Sequence, residues 1–525
     1  MPILQQGSIN TTALVVPDLY VQIVPPQNLV LNGVPTNIIG VIGTATWGPV
    51  GQPAIIGTMA DYAAAFGPIM PRKYDMATQV ATAVQQGASN FRCVRVTDGT
   101  DTAAQLGVFY TGSNGPLVLT ALYTGSMGNQ IVVTFAPGSA VNSWSMSVSM
   151  PGLTPEVFDN LTGSGQIFYQ NLVNAVNLGN GVLRGPSQII VAAMGNSFSA
   201  NPVAGSYAFS YGSAGSDGAN NVNAATLVGN DTLPRRGMYA LRSQGCSLGL
   251  LADADDQTQW TNQVAFGLSE GVYMIGTGPA GDVITNAVTA KQNAGIDSYA
   301  FKLLFGDWIW WSDTVNAQTR LVSPQGFVAG RLGNLSPEQS PLNKPLYGII
   351  GSQKSGQPGT AQASTYASAD LQTLFLAGID VIANPQPGGS YWGVRCGHNS
   401  SSNAAINGDN YTRMTNYIAA TLNSGMGLFV GQVINSTLFQ QIRSTQLQFL
   451  SMMLLEGMLG STDGSLPYSV VCDTTNNPIS RTSLGYVQCD VQVQYQGINE
   501  KFIINIEGGQ TVQVQYQTLP NGQAS

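Results

Sequence analysis

Apolar and polar positions alternate strictly in two copies of VQVQYQ, at Val491–Gln496 and Val512–Gln517, with Val, Val and Tyr on one side and three Gln on the other. A period of two is the mark of a half-buried strand. Between the copies lies KFIINI, which also reads as a strand, and only eight residues follow the second copy. Natural sheets blunt a free edge with Lys, Pro or a bulge. Here neutral amides stand where those devices belong, so the pattern asks what pairs with these strands.

The same reading along the rest of the chain divides it. Residues 1–32 form an extended arm: ALVVPDLYVQIVPP mixes β-branched residues with three prolines, which exclude helix. From 33 to 110 strands (IIGVIGTA, FRCVRVT) alternate with helical stretches (TMADYAAAF, MATQVATAVQQG), the pattern of an α/β layer, with Thr58 placed to cap the first helix. Residues 111–223 are rich in Gly, Ser and Asn, with short alternating runs such as IVVTF and WSMSVSM that predict a mostly β unit. The α/β pattern resumes over 224–400, so 33–110 and 224–400 are read as one α/β domain interrupted by a β insertion. Residues 401–500 read as a C-terminal α+β domain, and 501–525 as a terminal strand or arm. On its second helix Leu438, Ile442, Leu447, Leu450, Leu454 and Met458 recur at near-helical spacing, a packing stripe rather than a site. The predicted class is therefore α/β and α+β, multidomain.

Composition sharpens the picture. Among 525 residues only 9% are charged, against roughly 25% in typical soluble domains. Interface cores are depleted in Lys, Glu and Asp because charge is costly to bury, so much of this surface is expected to be covered in the working state. A net charge of −8 and 19 scattered Lys and Arg give no phosphate-tracking stripe, which argues against nucleic-acid binding. Five widely spaced cysteines predict free thiols in a reducing compartment. The N-terminus has no secretion-signal pattern, and FLSMMLLEGMLG is too short to span a bilayer, so a soluble, cytosolically made chain is expected.

Three patterns invite a catalytic reading. GLSEG (Gly267–Gly271) matches G-x-S-x-G around Ser269, with His398, the only histidine, downstream and Asp307 or Asp380 between. A nucleophile elbow needs a strand before the serine and a helix after it; here the order is reversed, and Gly271 reads as a helix cap. Gly276, Gly278 and Gly281 satisfy G-x-G-x-x-G after a strand, with Asp297 as a loosely placed ribose acid, but Pro279 and Asp282 oppose a pyrophosphate there. Asp253, Asp255 and Asp256 could hold Mg²⁺, yet capping of the following helix accounts for them. One histidine and no paired cysteines argue against a zinc site. No catalytic, cofactor-binding or metal-binding set survives, and the chain is not read as an enzyme.

The order of weak motifs carries the resemblance. PDLYVQIVPPQNLVLNGVPTNIIGVIGTATWGPVGQPAIIGTMADYAAAFG resembles the N-terminal region of contractile-tail sheath proteins. YTGSMGNQIVV, SAGSDG, SYAFKLLFGDWIWWSD with VSPQGFVAGRLG, LAGIDVIANPQPGGSYWGVRC, TRMTNYIAATL and EKFIINI follow in that family's order. Phe327 stands where the family usually has His, Cys396 follows Arg395 in place of Thr, and many charges are replaced by Asn and Gln. The resemblance implies terminal arms that add strands to a neighbouring subunit, a case of β-augmentation. On that reading Leu14, Val16, Tyr20, Val21 and Ile23 belong to the N-terminal arm, and Phe502, Ile504, Ile506, Val512, Val514 and Tyr516 to the C-terminal one. Val487, Val491, Val493 and Tyr495 lie in the receiving strand. The implied partners are further copies of the chain in stacked rings, a tail tube protein, and baseplate and tail terminator proteins, with no nucleic acid and no membrane. The implied role is contraction that drives the tube through a bacterial envelope during genome delivery, in a virion assembled in the host cytoplasm. The inserted unit is expected to face outward and the C-terminal domain to face the tube. A different helical shell or tube-forming protein would share the low charge and open edges.

Overall fold

In the computed structural model the described residues are 31–109, 115–179, 184–198, 202–357 and 365–506, with the backbone of 3–4 and 21–22. The centre is a seven-stranded sheet built from both flanks of the insertion. Its strands, numbered among themselves, are β1 (Ile39–Gly43), β2 (Pro53–Ile56), β3 (Phe91–Arg95), β4 (Leu248–Leu251), β5 (Tyr273–Thr277), β6 (Phe301–Leu304) and β7 (Ile379–Asp380). The order is β7-β6-β5-β4-β1-β3-β2, parallel throughout except β2, which runs antiparallel to β3. Strands covered on both faces read as continuous apolar runs. Ile39 and Val41 face one core, and Ile42 faces the other.

The first face is covered by α2 (Met76–Val84) and, later in the chain, α5 (Gln325–Gly333). These two helices approach closely because Gly326 and Gly330 share one face of α5: an added Cβ would lie 2.1 Å from Thr82 Oγ1 at the first and 2.5 Å from Ala83 backbone at the second. α1 (Met59–Phe66) starts where the sequence places it, with Thr58 and Asp61 forming a capping box. The second face is covered by α3 (Trp260–Glu270), α4 (Ile284–Asn293) and α6 (Ser368–Leu376).

The insertion has its own core and two sheets. One joins Val132–Pro137, Trp144–Ser149, Glu156–Leu161 and Gly205–Ala208; the other joins Gln105–Val108, Leu117–Ala121 and Ile190–Met194. Two features depart from the sequence reading. The unit begins before residue 105, because Gln105–Val108 pairs with Leu117–Ala121 rather than with the central sheet. It also packs a 13-residue helix, Gln166–Leu178, through Phe168, Tyr169, Leu172, Val173 and Val176. The chain leaves and returns at one place, where Asp98 N donates to Gly218 O (2.7 Å) and Thr102 pairs with Ser216. Trp47 from the central domain plugs the insertion's core, and buried Arg95 donates to the carbonyls of Gly48 (2.8 Å), Thr124 (2.6 Å) and Asp217 (3.3 Å).

The C-terminal unit comprises α7 (Asp409–Met426), α8 (Ser436–Leu455), and the antiparallel pair β8 (Tyr468–Val471) and β9 (Asp490–Val493). The stripe on α8 is core: Leu438, Ile442 and Leu450 are buried, Leu447 and Leu454 pack against the core, and Phe449 and Met453 join them. Among the described residues no helix is long and apolar enough to cross a membrane.

Candidate assembly interface

The sites a catalytic reading would use are filled by structural contacts. Ser269 sits in the last turn of α3, its Oγ donating to Phe266 O (3.0 Å), and Gly271 is the left-handed cap at φ 67°. His398 is far from it in role, its Nε2 lying 2.7 Å from Glu500 Oε1. In the G-x-G-x-x-G loop the amides are already engaged. Gly278 N donates to Leu304 O (2.9 Å) and Gly281 N to Gly306 O (2.9 Å), while Gly278 O accepts from Trp308 Nε1 (3.1 Å). A phosphate would have to displace the sheet's own bonds. Asp297 accepts from Ser402 N (2.8 Å) and Ser402 Oγ (2.5 Å) instead of facing that loop.

Open parallel sheets bind ligands where the strand order reverses, at the carboxyl ends. That reversal lies between β1 and β4, and side chains close it. Asp253 follows β4, is buried, and accepts from Gln79 Nε2 (2.9 Å) and Tyr74 N (3.1 Å), while its own N–H donates to Gln325 Oε1 (3.0 Å). Gln79 also reaches Ser323 Oγ (3.0 Å) and accepts from Gly326 N (2.9 Å). Asp255 pairs with Lys73 (2.9 Å) and Asp256 caps the turn before α3. No group of His, Cys, Asp and Glu among the described residues could hold a metal ion.

A polar joint ties the sheet to the C-terminal unit. Lys302, on β6 and fully buried, donates to Asp380 Oδ2 (2.6 Å), Asp409 Oδ2 (2.8 Å) and His398 O (2.8 Å). Asp409 opens α7 and accepts from Tyr273 Oη on β5; Asp380 accepts from Cys396 N (3.0 Å) and Gly397 N (2.8 Å). Burial alone would discharge the ammonium, but the Asp380 and Asp409 carboxylates overcome it and hold its pKa above the ordinary lysine value. One turn along α7, buried Arg413 donates to the carbonyls of Ser336 (3.0 Å), Leu335 (2.8 Å) and Thr36 (3.3 Å). Sequence reasoning missed this joint. Its one signal was a lysine inside an apolar strand, FKLL.

Beside the joint, β9 borders a groove of about 810 Å³ whose other wall is α7. Tyr411, Thr415, Ile418 and Leu422 line it from the helix, and Val491, Val493 and Tyr495 from the strand. Thr415 Oγ1 and Tyr495 Oη are 3.1 Å apart, and the Tyr411 and Tyr495 rings stack edge-on at 5.6 Å. Among the described residues β9 pairs only with β8, and Tyr495 bridges to Leu459 beyond it. Val487 precedes β9 and packs on the Leu438–Ile442 cluster. After Gln496 the chain continues without regular structure to Ile506, so KFIINI forms no strand here. Phe502, Ile504 and Ile506 are 80%, 66% and 88% exposed, an apolar run open to solvent. Val21 lies in the two-residue strand Val21–Gln22, paired in parallel with Ile3–Leu4. Leu14, Val16, Tyr20, Ile23, Val512, Val514 and Tyr516 lie outside the described residues.

No family model matches the sequence, and no curated protein matches it. Solved structures do. The sheath tail protein of Desulfitobacterium hafniense is similar at TM-score 0.56 and 14% identity, over 86% of this chain and 93% of that one. The sheath tail protein of Listeria innocua gives 0.58 and 13%, over 85% and 90%. The helical sheath of the anti-feeding prophage in the contracted state gives 0.55 and 11%, over 94% and 99%. The chain has the contractile-sheath fold. Within that fold the central sheet, the insertion and the C-terminal unit are all included in the match, since the third comparison leaves only 6% of the chain uncovered.

Proposed function

We propose that the chain is the structural subunit of a contractile sheath, and that its terminal arms knit copies into a helical polymer around a tube. In this reading Val487, Val491, Val493 and Tyr495 form the receiving edge. Leu14–Val24 of one neighbour and a strand within Lys501–Gln517 of another add to it. The observation that carries the proposal is the open groove at β9 next to an exposed apolar segment, Phe502–Ile506, in a chain that shares the sheath fold over 94% of its length. Both carry apolar side chains, Ile418, Leu422, Val491 and Val493 in the groove and Phe502, Ile503, Ile504 and Ile506 in the segment, which Lys501 and Glu507 bracket. Each strand added brings main-chain hydrogen bonds worth about 1 kcal/mol net apiece, and a heterologous contact of this kind propagates helically.

Assembly in an extended state and conversion to a lower-energy contracted packing then supply the work. No nucleotide is needed, because each converted ring biases the next. The tube, the baseplate and a terminator are the partners, the particle is a virion, and the outcome is delivery of the genome through a bacterial envelope. Removing residues 1–24 tests the reading. The full chain should give wide helical cylinders in negative stain, and the shortened chain a folded monomer. A full chain that stays monomeric at high concentration, or a shortened one that still polymerises, overturns it.

A further inference from the structure

Cys472 and Cys489 are sequence-distant from one another by 17 positions and were expected to be ordinary buried free thiols. The register of β8 and β9 says more. Tyr468 faces Val493, and the pairing runs on to Val471 opposite Asp490, which sets Cys472 opposite Cys489 one step further. Gln494 N donates to Pro467 O (2.7 Å), so the Pro467–Gln494 pair is a hydrogen-bonded one. In an antiparallel ladder the two kinds of pair alternate, which makes 468–493, 470–491 and 472–489 the non-hydrogen-bonded pairs. At such pairs the Cα atoms are only about 4.5 Å apart, inside the roughly 4.4–6.8 Å window that a disulfide bridges without backbone movement. Both side chains point to the same apolar cluster, with Leu438, Phe439 and Ile442.

The turn between the two cysteines is held independently of them. Asn477 Nδ2 donates to Gln488 O (2.8 Å), and Gln488 N donates to Asn477 Oδ1 (2.6 Å), so the 472–489 register is fixed at its open end. Both thiols are free. Cys489 is the more accessible, half-buried where Cys472 is 2% exposed, and its Sγ lies 2.7 Å from Gln446 Oε1.

We propose that Cys472 and Cys489 are a cross-strand redox pair that closes to a disulfide when the subunit meets a small-molecule disulfide such as oxidised glutathione. The Cys489 thiol loses its proton to solvent, and the thiolate attacks one sulfur of the small disulfide, breaking its S–S bond and releasing one small thiolate. Cys472, deprotonated in turn, attacks Sγ of Cys489 and expels the second small thiolate. The two protons end on the two released thiols. The protein loses two protons and two electrons, and the small disulfide gains them. Closing the ring gives up the Cys489–Gln446 hydrogen bond and pins β9 to β8. Burial raises both thiol pKa values, Cys489 to about 12, so closure is slow at neutral pH and quickens as pH rises.

The test is thiol mapping on the full chain after incubation with oxidised glutathione at mildly alkaline pH, with alkylation of remaining thiols before tryptic digestion. Arg443, Arg481 and Lys501 place the two cysteines in separate peptides, 444–481 and 482–501, each carrying one cysteine. The expected product is one species joining those two peptides, lighter than their sum by two hydrogens and split by dithiothreitol. Amide exchange in β8 and β9 should slow severalfold on oxidation and recover on reduction. In Cys472→Ser the product should instead be Cys489 carrying glutathione, and in Cys489→Ser no adduct should form at position 472. A wild-type chain that stops at the Cys489 mixed disulfide, or that leaves both thiols alkylated, overturns the proposal. The wild-type mapping decides it even where a variant fails to fold.

Discussion

Replacing Lys302 by Met removes the cation that bonds both carboxylates of a buried cluster and leaves Asp380 and Asp409 facing one another without it. The side chains are near in volume, so the effect is electrostatic rather than a cavity. Lys302 donates to both carboxylates and to His398 O, and both carboxylates are 1% exposed or less. Removing one member of such a set costs about 3–5 kcal/mol, because the remaining charge is left unpaired away from water. The loss falls on the joint between β6 and the start of α7. Denaturant unfolding of the unassembled subunit should show an early transition, and limited proteolysis should open the chain between Gly397 and Asp409. Converting Asp409 to Asn in the same chain removes the excess charge and should recover more than half of the loss. A single variant within 1 kcal/mol of wild type, or a double variant no better than the single, would refute the reasoning.

The remaining predictions address other parts of the molecule. Phe502→Asp with Ile504→Asp should leave the subunit's melting temperature unchanged, since both side chains are exposed, and should abolish polymers in negative stain. Gly330→Val should destabilise by about 1–3 kcal/mol or more, because a Cβ meets Ala83 backbone at 2.5 Å and helix α2 cannot retreat without opening the sheet; thermal melts check it. Asp75 is fully buried, and burial raises its pKa to about 7 despite its hydrogen bonds to Thr78 and its proximity to Arg72. A raised carboxyl pKa means the folded chain holds the extra proton between the unfolded value near 4 and about 7, so stability falls as pH rises through that interval. Asp75→Asn should therefore flatten the pH profile and gain at most roughly 4 kcal/mol above pH 7, which denaturant titrations at pH 5 and pH 8 would reveal.

What the sequence shows and hides follows from how far each interaction reaches. The capping box at Thr58, the left-handed cap at Gly271 and the apolar strands are local, so they are legible in a few adjacent residues. The helix Gln166–Leu178 is also local, yet it starts at Gly165 without a side-chain cap and lies inside a Gly-, Ser- and Asn-rich stretch whose alternating runs read as mostly β. The strand Gln105–Val108 falls within the 33–110 flank in sequence, and only its pairing with Leu117–Ala121 reveals that it belongs to the insertion. The Lys302 joint assembles residues 78 and 107 positions apart, and no short window contains it. At the proposed interface the alternation of Val491, Val493 and Tyr495 was visible, while the groove wall supplied by Tyr411, Thr415, Ile418 and Leu422 needed the fold.

The chain enters and leaves the insertion at one doorway, where Asp98, Thr102, Ser216 and Gly218 bring its two ends together. A module hung on such a doorway can be enlarged, trimmed or exchanged while the seven strands behind it keep their order. Its deep apolar root is Trp47, lent by the host domain. Any graft that replaces the module must therefore bring an apolar socket for that indole, or be accompanied by a smaller residue at position 47.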